Sequence, residues 1–70
     1  MKAYKNNRGR YELENGTELT CGHCIKYLET ELGVWVEGRV EHNGKDYYFF
    51  NPNGKHLPLY DGVEVIDIRE

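Results

Sequence analysis

Serine is absent from these 70 residues, and cysteine, proline and methionine are scarce, at two, two and one. Without serine there is no serine-hydrolase nucleophile. No glycine-rich loop leads into Lys-Ser or Lys-Thr, so phosphate-cradling of the P-loop kind is excluded. No apolar run approaches the roughly 20 residues that cross a bilayer. The opening Met1–Arg8 stretch lacks the apolar segment of a signal peptide, and a cytoplasmic location is the expectation. No stretch sustains a helical period for three turns, which leaves no crossover helix for a dinucleotide-binding sheet or a (β/α)₈ barrel. The acids scatter over turns and outward positions without a catalytic pairing. Neither enzyme activity nor a cofactor is expected.

What is present is turn chemistry. Asn15-Gly16, Asn43-Gly44, Asn53-Gly54 and Asp61-Gly62 punctuate the chain, each able to supply the backbone of a tight turn. Apolar residues mostly alternate between them, as in half-buried strands. The fold class this predicts is all-β, a small five-stranded antiparallel SH3-like barrel, with an OB-fold as the nearest alternative.

The clearest hairpin joins Val34–Val40 to Asp46–Phe50. A two-residue loop at Asn43-Gly44 pairs Val40 with Tyr47, Arg39 with Tyr48 and Gly38 with Phe49. Val36, Gly38, Val40, Tyr47 and Phe49 then face the core, with Gly38 leaving room for the Phe49 ring. Trp35, Glu37, Arg39, Glu41, Tyr48 and Phe50 take the other face, where Arg39 opposite Tyr48 makes a cation–aromatic pair contributing ~0.5–1 kcal/mol. In the first hairpin a three-residue loop over Asn15-Gly16-Thr17 unites Leu13 with Leu19 and Tyr11 with Cys21. Another strand covers Cys24–Glu29 with Ile25 and Tyr27 on one face. The last strand, 63–69, changes phase between Val65 and Ile66, by a bulge or by burial on both faces. Two prolines assign 51–58 to a loop or single turn, and either the 51–60 loop covers the second aromatic face or Tyr48, Phe50 and Trp35 are left on it for binding.

Charge is asymmetric. Residues 1–10 carry Lys2, Lys5, Arg8 and Arg10 and no acid, whereas residues 11–70 hold five bases against twelve acids. The domain division expected is a basic N-terminal arm over 1–9 and a single barrel over 10–70. The arm is either a solvated terminus or a steering element for nucleic acid.

Cys21-Gly22-His23-Cys24 spells the tetrapeptide of disulfide isomerases, but it lies between two strands, without the helix N-terminus that activates such a cysteine. Cys21, Cys24 and His23 are the candidate metal ligands, with His42 or His56 to complete a tetrahedral zinc site. The plainer expectation is two reduced thiols, at least one buried as a small apolar group.

Four stretches resemble a known arrangement: Leu19-Thr20-Cys21-Gly22, Trp35-Val36-Glu37-Gly38-Arg39-Val40-Glu41, Asp46-Tyr47-Tyr48-Phe49 and Leu59-Tyr60-Asp61-Gly62-Val63. Together they resemble a family of small domain-of-unknown-function proteins from Gram-positive bacteria, their phages and mobile elements. The resemblance implies an SH3-like barrel and no reaction. Gly22-His23-Cys24-Ile25, Gly33-Val34-Trp35 and Gly38-Arg39-Val40 bear a weaker likeness to Tudor domains, which hold methylated side chains in an aromatic cage. The expected function is a non-enzymatic protein-interaction module, monomer or weak dimer, binding a protein partner through Trp35, Glu37, Arg39, Glu41, Tyr48 and Phe50. Nucleic-acid binding by the arm with aromatic stacking, and a zinc-stabilised module, are the alternatives; no membrane partner is expected.

Overall fold

Side chains along a strand alternate between faces, so the inward positions show where strands lie. The computed structural model describes residues 1–68 and contains strands and turns without a helix among them. Eight strands follow in chain order: β1 (Lys2–Lys5), β2 (Tyr11–Leu13), β3 (Glu18–Leu19), β4 (Cys24–Glu29), β5 (Val34–His42), β6 (Tyr47–Asn51), β7 (Lys55–Pro58) and β8 (Val63–Asp67). They form one antiparallel sheet in the order β3-β2-β1-β8-β4-β5-β6-β7. The all-β class stands, with eight strands where five were expected. The sheet curls until its two halves meet: the Tyr11 hydroxyl donates to the Leu59 carbonyl at 2.9 Å, and Lys5 Nζ lies 3.2 Å from Asp46 Oδ1.

The concave side is the core. Ala3, Leu19, Ile25, Val40, Phe49, Val63 and Val65 are fully buried there, and the Tyr27 and Phe49 rings stack with centroids 4.7 Å apart. Burial pushes the Tyr27 phenol up to about 12, while its hydroxyl donates to the Pro58 carbonyl at 2.7 Å. Gly38 is bare for the reason expected. A Cβ there would stand 2.7 Å from Phe49 Cζ and collide with the Phe50 carbonyl oxygen.

Both hairpin registers differ from expectation by two residues. In the long hairpin Val40 pairs with Phe49 and His42 with Tyr47, around a four-residue loop. In the first, Tyr11 pairs with Leu19, and the loop is Glu14-Asn15-Gly16. A two-residue type I′ loop needs positive φ at both central residues, and no residue other than glycine adopts positive φ among those described. Asn43 instead uses its side chain, Oδ1 accepting from Lys45 N and Asp46 N at 2.9 Å each. A shift of two preserves every face, so the inward and outward sets remain as expected.

Two strands arise where none was foreseen. Residues 2–5, expected as part of an arm, are β1, held between β2 and β8 with Ala3 buried. β7 occupies part of the expected 51–58 loop, as the edge strand that proline permits. The expected phase change in the last strand is absent: Val63 and Val65 are buried and Ile66 is 42% exposed in plain alternation. The expected strand end at Arg69 lies outside the described residues.

Candidate interaction surface

The convex face of β4–β7 carries the expected binding residues, because each alternates with an inward neighbour. The registers align Cys24, Arg39, Phe50 and His56 in one row across four strands. Arg39 Cζ lies 4.8 Å from the Phe50 ring centroid. Phe50 meets the His56 ring edge-on at 5.1 Å and 81°, and Tyr48 stacks on His56 at 5.1 Å and 19°. Arg39 Nε donates to Glu41. Thus Arg39, Glu41, Tyr48, Phe50 and His56 form one connected cluster, with a guanidinium held between a ring and a carboxylate.

The pair expected between Arg39 and Tyr48 is therefore Arg39 with Phe50, a result of the two-residue register shift. Glu37 stands one outward position along β5, exposed, opposite Lys26. Trp35 is separate. It sits opposite Leu28 at the far end of β5, about 13 Å from Arg39 at the usual strand rise, and is 44% exposed. His56 is the member that sequence reasoning missed. Its alternation with Leu57 in 55–58 was the available signal, outweighed by the prolines. β7 extends the face sideways and does not cover it, so Tyr48 and Phe50 remain half-buried and His56 exposed. A groove of about 410 Å³ runs beside the cluster, lined by Cys24, Glu37, Arg39, Asn51 and Asn53 among others.

The Cys-Gly-His-Cys segment separates its functional groups. Thr20–His23 is a turn, with His23 N donating to the Thr20 carbonyl at 3.0 Å and Gly22 at φ +86°. Cys21 and Cys24 are both free and exposed, which corrects the expectation of a buried thiol. His23 takes the inward position and is 1% exposed. Its Nε2 shares a 2.8 Å hydrogen bond with Asp67 Oδ1, and its buried Nδ1 has no hydrogen-bond partner among the described residues. The three candidate ligands thus do not converge, and among the described residues no three His, Cys, Asp or Glu side chains group around a metal position.

The basic N-terminal residues are largely neutralised. Arg8 and Arg10 reach Glu18 at 2.5 and 3.3 Å, and Lys5 reaches Asp46. Burial pushes the Glu18 carboxyl up, but hydrogen bonds from Asn6, Arg8 and Arg10 outweigh it and hold the group below the usual carboxylate range. The Tyr47 backbone amide and then Lys5 lower Asp46 likewise.

No helix among the described residues is long and apolar enough to cross a membrane. No curated protein and no solved structure matches the chain. A family model described as a domain of unknown function, DUF5348, matches residues 3–66, from β1 into β8. The chain belongs to the DUF5348 family.

Proposed function

We propose that this protein is a non-enzymatic interaction module, a small barrel of the SH3-like kind acting in the cytoplasm, that binds a protein partner through the convex face of β5–β7. One observation carries the reading: Tyr48, Phe50, His56 and Arg39 form a contiguous, half-exposed aromatic and guanidinium cluster on a rigid sheet. Aromatic residues and arginine dominate binding energy where they are pre-positioned and become desolvated. Here the rings hold one another, so little side-chain freedom is lost on docking. Glu37 and Glu41 supply a charged rim. Trp35 is a second contact at the far end of the same strand. The acidic net charge of −3 suits a partner with a basic surface, such as a nucleic-acid-handling host protein met by a phage or mobile-element product.

Direct nucleic-acid binding finds less support, since Lys5, Arg8 and Arg10 are engaged by carboxylates. The test is affinity capture from a bacterial lysate with three baits: the wild type, Tyr48→Ala/Phe50→Ala, and Leu32→Ser on an exposed turn away from the cluster. A protein retained by the wild type and Leu32→Ser baits, and depleted ~10-fold or more from the double variant, is the expected result. Equal retention by all three, or capture of nucleic acid alone, overturns the reading.

A further inference from the structure

Cys21 and Cys24 stand outside the proposed docking cluster. Both thiols are free and exposed, Cys21 on the turn and Cys24 at the start of β4, at the sequence spacing that delivers two sulfur ligands to one metal ion. The Cys24 thiol folds back over that turn, its Sγ 3.8 Å from the Gly22 carbonyl oxygen. A thiophilic divalent ion of the zinc class takes four ligands in a tetrahedron. One chain supplies two. His23 is turned inward onto Asp67, and the described residues hold no group of three or more ligating side chains.

We propose that Cys21 and Cys24 form half of a four-thiolate site for a zinc-class ion, completed by the same pair from a second copy of this chain. On binding, the four thiols lose their protons to solvent, and a divalent ion with four thiolates carries a net charge of −2. Each copy places one guanidinium, already paired with Glu41, beside that charge. Arg39 is the Cα partner of Cys24 on the neighbouring strand, lines the same groove, and makes no hydrogen bond through its terminal nitrogens among the described residues. Such outer-shell groups typically change metal affinity ~10–100-fold. The bridge joins two copies at the Cys24 end of the row, about 14 Å from His56 across three strand spacings, so the Tyr48–His56 end stays open.

The experiment is a cobalt(II) titration of the purified, tag-free protein in a phosphine reductant, which keeps the thiols reduced. The expected result is intense thiolate-to-cobalt absorption with tetrahedral d–d bands, saturating at one metal per two chains. Sedimentation must show mass doubling in step with the absorption. Cys21→Ser and Cys24→Ser each abolish the bands, while Arg39→Glu retains them with ~10–100-fold weaker binding. Circular dichroism confirms that each variant is folded. Absence of the absorption, saturation at one metal per monomeric chain, or bands that survive either cysteine substitution overturns the site. None of these readouts involves a protein partner, so the outcome is separate from that of the capture experiment.

Discussion

The two flanks of the sheet treat charge and aromatic surface in opposite ways. In β1–β3 and their loops three of the four basic side chains meet carboxylates: Glu18 gathers Arg8, Arg10 and the Asn6 amide, and Lys5 spans to Asp46. In β4–β7 a single arginine is held by one ring and one carboxylate, and the Trp35, Tyr48, Phe50 and His56 rings remain partly open to solvent. Groups that close a fold satisfy each other, whereas groups prepared for a partner are positioned with capacity left over.

The sharpest way to break this contrast compares adjacent phenylalanines. Phe49→Ala removes a fully buried ring stacked on Tyr27 and is expected to cost ~3–5 kcal/mol, enough to unfold much of the population. Phe50→Ala, one residue along and on the opposite face, should cost under ~1 kcal/mol while weakening partner capture. Urea unfolding of both variants checks this; equal losses would remove the distinction between the faces. Gly38→Ala comes next, at ~1–3 kcal/mol, because its Cβ meets Phe49 Cζ and the Phe50 backbone oxygen.

These expectations divide what alternation reveals from what it conceals. Inward and outward sets were legible because Val40, Phe49, Ile25 and Tyr27 each sit two residues from another inward residue. Register was not, because sliding a hairpin by two leaves every side chain on its own face, and the choice fell to the Asn43 side chain in the turn. β1 was hidden because its one buried position is filled by Ala3, too small to signal a strand. His23 was hidden because a buried histidine between two exposed cysteines reads as a ligand until its ring is seen to face Asp67.

Smaller effects come from titration. Tyr27 titrates higher in the folded chain than in the unfolded one, so its contribution is complete below pH 10 and lost as pH rises from about 10 toward 12. Thermal melting should fall across that window, and Tyr27→Phe should flatten part of the fall. Glu18 behaves oppositely: its lowered folded value stabilises above the usual carboxylate range and is lost as pH drops through it. Glu18→Gln should therefore reduce acid sensitivity and lower the melting temperature at neutral pH, with the difference narrowing at high salt.

β8 joins two neighbours in turn, β1 through Lys2↔Glu64 and Ala3↔Val63, and β4 through Tyr27↔Val65 to Ile25↔Asp67. A nascent chain leaving the ribosome can close the β4–β7 meander and the β1–β2–β3 ribbon from local contacts, but the second neighbour of β1 lies sixty positions downstream. The Ala3 and Leu13 side of the sheet thus lacks its central neighbour until β8 has been made, and pairings across so long a separation are of the slower kind.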